Sequence, residues 1–166
     1  LPFPSWEQLI SVVSAALVLS YAIAPVTAAG LRRNAPDLPR PFRVRAFGII
    51  GPVSFMISAL IVYWSGWNTL SWLLGLQIVM FVVYVMCKGK VPEHTVSLAQ
   101  QVKSSLWLIV FYALIILFSW LGSFGGLNVI GHPWDTVLVA AMSLGIYYWG
   151  ARSCLPQANF SGDEEE

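Results

Sequence analysis

Long apolar stretches alternate with short polar segments along this chain of 166 residues. Within each stretch apolar residues fill consecutive positions rather than every second one, a pattern that argues against the strands of a transmembrane barrel. A hydrocarbon core about 30 Å thick needs about 20 residues of helix to cross it. The pattern predicts five membrane-spanning helices, over Leu9 to Ala29, Phe47 to Gly66, Leu70 to Cys87, Ser104 to Phe124 and Thr136 to Ala151.

The composition leads to the same fold class. Hydrophobic residues make up 57% of the chain and charged residues 10%, and the mean hydropathy is +0.71. These values do not fit a soluble domain of this length. Because lipid offers no partner for an unpaired backbone group, we predict an all-α, polytopic bundle of five transmembrane helices.

Positive charge is confined to alternate connections between the predicted spans. All nine Lys and Arg residues lie in segment 31–45, in segment 88–103 or at Arg152. Lys and Arg in short loops favour the cytoplasmic side of a membrane. We therefore expect a multi-pass protein of the inner, cytoplasmic membrane, with the N-terminal end of this chain outside and its C-terminal end in the cytoplasm.

The same reasoning divides the chain into four segments. Residues 1–30 contain the first span, and residues 31–45 form a cytoplasmic basic loop. Residues 46–152 contain the four further spans. Residues 153–166 are polar and end in four consecutive acidic residues. We predict that they form a disordered cytoplasmic tail.

The basic loop has a composition that limits its structure. It carries five Arg residues together with Pro36, Pro39 and Pro41, so we expect neither a helix nor a central strand to run through it. Its position between two spans is explained by topology and by contact with anionic lipid. We therefore expect membrane lipid, and no nucleic acid, as a partner of this loop.

The first span contains the candidate functional face. Ser14, Tyr21 and Pro25 lie on one side of a helix that turns about 100° per residue. A proline inside a helix removes one backbone hydrogen bond and kinks the helix, which frees the carbonyl of Tyr21. Kinked helices with hydroxyl groups line cavities in transporters. Ser14 and Tyr21 are therefore candidates for a substrate path, and ordinary helix packing is the alternative.

The fourth span carries few polar residues and is expected to face lipid. Because such a face can equally meet a second copy of the chain, the oligomeric state stays open.

No arrangement of residues typical of catalysis is present in the sequence. It lacks a Gly-rich phosphate loop, a Ser/His/Asp order, paired carboxylates and the spacings of metal ligands, and its two Cys and two His are scattered. We expect no enzyme activity, no catalytic residue, no cofactor and no metal site. No charged side chain is placed at mid-membrane depth, so an intramembrane carboxylate for proton coupling would have to come from elsewhere.

The basic loop, LRRNAPDLPRPFRVR over residues 31–45, also resembles a family. Following an apolar span, it is similar to the C-terminal region of amino acid permeases of the amino acid-polyamine-organocation superfamily, in the branch that includes bacterial aspartate-proton symporters. The resemblance implies that the chain is the C-terminal portion of a LeuT-like, inverted-repeat fold and that its first span is the tenth. It also implies that Arg32, Arg33, Arg40 and Arg43 anchor the cytoplasmic side.

The function implied is secondary active transport of amino acids, as proton-coupled symport. Amino acid and proton would then be bound by spans that precede this chain, since members of the family hold substrate at broken first and sixth spans. A start at Leu1 without a signal peptide favours the same view. The alternative is a small membrane scaffold or assembly subunit, and the transported amino acid and the coupling ion stay open.

Overall fold

The structure, a computed structural model, describes residues 5–36, 44–87 and 98–154. Every regular element in these ranges is a helix, which confirms the predicted all-α class. The helices are α1 (Trp6–Asn34), α2 (Phe47–Trp64), α3 (Gly66–Cys87), α4 (Leu98–Leu121) and α5 (Trp134–Ser153).

Among the described residues, three helical segments are long and apolar enough to cross a membrane. They are Trp6–Asn34, Phe47–Trp64 and Ser104–Leu121. A chain with three such segments is that of a membrane protein. That α3 and α5 also cross, as the five-span pattern indicates, stays a prediction.

The start of α1 is defined by a reciprocal cap. The backbone N–H of Gln8 donates to Oγ of Ser5 over 3.4 Å, and the backbone N–H of Ser5 donates to Oε1 of Gln8 over 3.0 Å. Two amides at the helix start, where no carbonyl from a preceding turn is available, are thereby satisfied. Glu7 adds a negative charge in the first turn, where the helix dipole favours it.

The end of α1 lies further along the chain than the sequence predicted. The helix continues through Pro25 to Asn34, so Arg32 and Arg33 lie in its last turn rather than in a loop. The first four residues of segment 31–45 thus belong to α1, and the helix ends at Asn34, before the prolines of the segment. The first proline of the segment is Pro36, so nothing bars the helix before it, and cations are favourable at a helix C-terminus.

The helices run antiparallel, so the bundle has two distinct ends. The C-termini of α1 and α5 meet the N-terminus of α2 at one end, which we call the basic end because Arg32, Arg33, Arg45 and Arg152 lie there. At the opposite end, the C-termini of α2 and α4 meet the N-termini of α3 and α5. This alternation matches the predicted order of spans.

The centre of the bundle is a cluster of aromatic rings around Phe55 of α2. The side chain of Phe55 is fully buried. Its ring centroid lies 5.0 Å from that of Phe111, 6.0 Å from that of Tyr147 and 6.5 Å from that of Trp107. These separations are in the range of favourable tilted and edge-to-face contacts. One side chain thus connects α2 with both α4 and α5.

The fourth span was expected to face lipid, and the structure buries one side of α4 in the bundle while the opposite side stays exposed. On α4, Trp107, Phe111, Ile115 and Ser119 follow one another at intervals of four residues, and all four are buried. Residues spaced by four share one helix face, and here that face packs into the bundle. The continuous apolar run hid this face, because lipid-facing and buried positions are both apolar in a membrane protein.

Close approach between helices depends on a glycine in α5. A Cβ atom built on Gly150 would lie 2.8 Å from Cδ2 of Trp107 on α4 and 2.8 Å from Cγ1 of Val26 on α1. Both distances are shorter than real Cβ contacts allow. Gly150 therefore lets α1 and α4 approach the backbone of α5, as small residues do in membrane bundles.

We predict that Gly150→Ala lowers the stability of the protein by about 1–3 kcal/mol, because the added methyl group overpacks this crossing. Gly145→Ala in the same helix is the control, since a Cβ there meets nothing within 4 Å. Alanine is the better helix former, so this control should be neutral or stabilising by up to about 1 kcal/mol. Thermal unfolding in detergent measures both, and equal shifts would contradict the role given to Gly150.

Candidate functional site

The two substrate-path candidates lie on one exposed face of α1. Tyr21 is 69% exposed and Ser14 is also exposed. They are separated by two turns, about 10 Å along the helix axis. Val13 and Leu17, which are 58% and 53% exposed, lie beside them. We call these four residues the α1 face.

The opposite side of α1 is fixed in the bundle. It packs against α2, α3 and α5. Its buried residues are Ala15, Leu19, Ala22, Val26 and Gly30. Because the other side of α1 packs against the bundle, the helix is fixed in place. The positions that Ser14 and Tyr21 can take are therefore restricted.

The chemistry of the α1 face is that of neutral hydroxyl groups on an apolar background. Between Glu7 and Arg32, α1 contains no charged residue. Other hydroxyls of α1 are satisfied within the helix: Ser20 donates to the carbonyl of Ala16 over 3.0 Å, and Thr27 to that of Ile23 over 2.9 Å. A face of this kind can donate or accept hydrogen bonds with a polar solute, but it offers no carboxylate or imidazole to carry a proton.

At the basic end, Arg32 joins α1 to α2. Its guanidinium carbon lies 3.8 Å from the ring centroid of Phe47, and Nη1 donates to the carbonyl of Val44 over 3.4 Å. The first contact is a cation–π interaction, and the second is a charge-assisted hydrogen bond. Arg33, its neighbour, is exposed. The other two predicted anchors, Arg40 and Arg43, lie outside the described residues, and anchoring at the cytoplasmic side stays a prediction.

The same end also joins α1 to the end of α5. Nδ2 of Asn34 donates to the carbonyl of Cys154 over 3.1 Å. A Cβ on Gly30 would overlap the sulfur of Cys154, so the two helices touch at this glycine. Burial raises the pKa of the Cys154 thiol, which therefore stays protonated at neutral pH.

At the opposite end, one buried carboxylate accepts hydrogen bonds from residues in three parts of the chain. Asp135, in the first turn of α5, is fully buried. Its Oδ2 accepts hydrogen bonds from the hydroxyl of Tyr63 over 2.8 Å and from the hydroxyl and backbone N–H of Ser123. Its Oδ1 accepts from the backbone N–H of Thr136 over 2.6 Å and from the Thr136 hydroxyl over 3.2 Å. We call Tyr63, Ser123, Asp135 and Thr136 the Asp135 network.

These donors keep Asp135 charged. Burial by itself raises the pKa of a carboxyl group, but the hydrogen bonds from Ser123, Tyr63 and Thr136 outweigh burial and hold the pKa of Asp135 below its usual range. His132 lies nearby, with Nδ1 3.6 Å from Oδ1. The Asp135 network is therefore a fixed anion that holds α2, α5 and the connection before α5 together, and not a group that exchanges protons near neutral pH.

Sequence reasoning placed Asp135 at the start of the last span and gave it no role. The available signal was an acidic residue directly before an apolar run, in a connection without Lys or Arg, because a lone carboxylate in such a place needs donors. Within ranges 5–36, 44–87 and 98–154, no group of three His, Cys, Asp or Glu side chains is placed to hold a metal ion.

We predict that Arg32→Ala lowers stability by about 1–2 kcal/mol, because it removes the contact with the Phe47 ring and the hydrogen bond to Val44. Arg33→Ala removes the same charge from the next position, which is exposed, and should change stability by less than about 0.5 kcal/mol. Thermal unfolding of both variants in detergent distinguishes a specific contact from an effect of net charge. Equal losses would contradict the contact.

We predict that Asp135→Asn lowers stability at pH 7 by about 1–3 kcal/mol, since it weakens several hydrogen bonds to a buried group. The folded-state pKa is lower than the unfolded value of about 3.9, so the charged carboxylate stabilises the fold above that pH, and this contribution is lost as the pH falls further. Unfolding temperatures measured from pH 7 down to pH 3 should therefore keep a constant difference between the two proteins down to about pH 4 and begin to approach each other only below it. Convergence already near pH 6 would contradict a depressed pKa.

Comparison with known proteins identifies two relatives. The chain is 55% identical over 165 residues to the aspartate-proton symporter of Bacillus subtilis (strain 168), which covers 99% of this chain and 32% of that protein. It is 33% identical over 153 residues to the glutamate/serine transporter AimA of the same organism, covering 91% of this chain and 28% of that protein. No family model and no solved structure matches. The chain thus spans about a third of the length of the curated relatives it matches, and both are named as amino acid transporters.

Proposed function

We propose that this chain forms part of a secondary transporter that moves amino acids across a membrane, coupled to protons. The observation that carries the proposal is the 55% identity, along 99% of the chain, to a protein named an aspartate-proton symporter. The second relative is named for glutamate and serine. An acidic amino acid occurs in both names, so aspartate and glutamate are the first substrates to test.

In this proposal the α1 face lines the path of the substrate. Its support is the exposure of Ser14 and Tyr21 on a helix whose other side is buried. Hydroxyl groups at two depths of one helix can exchange hydrogen bonds with the ammonium and carboxylate groups of an amino acid. The neighbouring side chains of Val13 and Leu17 are apolar, so they carry no charge that would bind the amino acid tightly and slow its passage.

In this proposal the coupled proton is bound by parts of the intact protein that lie outside this chain. The α1 face carries no titratable carboxylate or imidazole. Asp135 is buried, and its hydrogen bonds favour the charged form near neutral pH. Because the relatives are about three times as long as this chain, the proposal places the proton-binding group in the part of such a protein that this chain does not cover. The role proposed for α2 to α5 is to support α1.

The proposed orientation places the basic end in the cytoplasm and the Asp135 network outside. It is supported by the described Arg residues at one end of the bundle and by the positive-inside tendency of membrane proteins. In the same proposal the chain is the C-terminal portion of a permease with an inverted-repeat fold, and Arg32 and Arg33 hold the cytoplasmic end of its first helix.

We predict that Tyr21→Phe lowers kcat/KM for aspartate or glutamate uptake by about three- to tenfold, the factor expected for one lost hydrogen bond. The intact protein is reconstituted in liposomes, and uptake of labelled aspartate, glutamate and serine is measured with and without an inward proton gradient. Tyr148→Phe is the control, because Tyr148 is 51% exposed on α5, away from the α1 face.

Two results would contradict parts of this proposal. Unchanged uptake kinetics in Tyr21→Phe would remove the α1 face from the path while leaving transport itself in place. Absence of uptake of all three amino acids by a well-folded protein would reject transport of these substrates and favour a scaffold or assembly subunit.

A further inference from the structure

One backbone carbonyl of α1 has lost its usual hydrogen-bond donor. In an α-helix the carbonyl of each residue accepts from the N–H group four positions further along. Pro25 lies inside α1 and has no N–H, so the carbonyl of Tyr21 lacks this bond while the helix continues on both sides. A backbone acceptor that is kept from water without another partner costs free energy. The carbonyl of Tyr21 therefore requires a donor that the helix backbone does not supply.

The hydroxyl groups nearest to this carbonyl along α1 are used elsewhere. Ser20 donates to the carbonyl of Ala16 and Thr27 donates to the carbonyl of Ile23. The turn that contains the Tyr21 carbonyl lies on the open side of the helix, since Tyr21 and Ala24 are exposed. Ala24 carries only a methyl group, so a donor can approach the carbonyl from this side.

The depth of Tyr21 excludes lipid as the donor. Tyr21 lies near the middle of the 29 residues of α1, which is long and apolar enough to cross a membrane. Hydrocarbon contains no hydrogen-bond donor, and prolines are tolerated in spanning helices where protein or a water-filled cavity supplies one. The described helices pack against the other side of α1, so this carbonyl is available to a polar solute beside the α1 face.

The chemistry of a carbonyl is complementary to an ammonium group. A carbonyl oxygen only accepts hydrogen bonds, and an ammonium group only donates them. A hydrogen bond in which the donor is charged is about twice as strong as one between neutral groups. Between Glu7 and Arg32, α1 offers no carboxylate with which an ammonium group could pair. The carbonyl of Tyr21 is therefore the backbone acceptor on this side of α1 that is best suited to a cationic donor.

We propose that the main-chain carbonyl of Tyr21, freed by Pro25, accepts a hydrogen bond from the ammonium group of the transported amino acid. This inference rests on the proposed transport function and adds to it a determinant of specificity. The contact separates amino acids from dicarboxylates of the same shape, because a dicarboxylate without an amino group leaves the carbonyl without a donor. Pro25 is then a positioning residue, which acts by keeping the carbonyl of Tyr21 free.

The test replaces Pro25 by residues that have an N–H group. Uptake of labelled aspartate by the intact protein in liposomes is measured against increasing concentrations of succinate, which has the two carboxylates of aspartate but no ammonium group. The wild type should prefer aspartate. Pro25→Ala and Pro25→Val regain the N–H that binds the carbonyl, so each should reduce this preference about tenfold, the factor expected for one hydrogen bond to a charged group. Both should also unfold at a higher temperature than the wild type, because the helix regains a bond.

Pro52→Ala is the matched control. Pro52 also lies inside a helix, but in α2, where it is buried in the bundle. The variant regains an N–H in the same way and should leave the preference for aspartate over succinate unchanged.

Three results would overturn the inference. A preference for aspartate in both Pro25 variants as strong as in the wild type would assign the donor to water or to another helix, and would leave the transport proposal intact. An equal loss of preference in Pro52→Ala would indicate a general effect of removing a helix proline. Absence of aspartate and glutamate uptake by the wild type would reject the transport proposal and this inference with it.

Discussion

Lipid tails are as apolar as the side chains between these helices, so burial of apolar surface cannot by itself hold the bundle together in a membrane. Close packing and polar contacts must do so, and the structure contains both. Phe55 connects α2 with α4 and α5 near the middle of the bundle, and Gly150 lets α1, α4 and α5 meet nearer its basic end. Polar contacts join the helices at the two ends, through Arg32 at one and Asp135 at the other. Neither end contact needs a charged partner, since an aromatic ring and neutral donors satisfy the two ions.

The apolar runs of the sequence were enough to predict the helices, but the specific contacts between the helices could not be predicted from it. Apolar runs gave the positions of the five helices, because length and hydropathy are local properties of a sequence. They did not distinguish the buried face of α4 from a lipid-facing one, since both are apolar. The Asp135 network was also beyond local reasoning, because Tyr63 lies 72 positions before the aspartate whose charge it supports. Likewise the end of α1 at Asn34 depends on where prolines begin and not on where hydropathy falls.

The candidate face of α1 was more accessible to sequence reasoning. Ser14 and Tyr21 were placed on one side of a helix by angular spacing alone, and the structure puts them on one exposed side. Spacing could not tell which side of α1 the bundle covers, because that depends on α2, α3 and α5. The result is a helix with one packed and one open side. A surface supported in this way is preorganised, so a hydrogen bond made there does not first require the helix to be ordered.

The contact between Asn34 and Cys154 joins positions 120 residues apart, the end of α1 and the residue that follows α5. A ribosome adds about 5–20 residues per second, so α5 emerges on the order of ten seconds after α1. Throughout that interval Gly30 and the end of α1 lack the neighbour against which they finally pack. The contact of α1 with α5 can thus form only after the last helix has been made, and a nascent chain that stops before α5 leaves Gly30 without the neighbour it packs against.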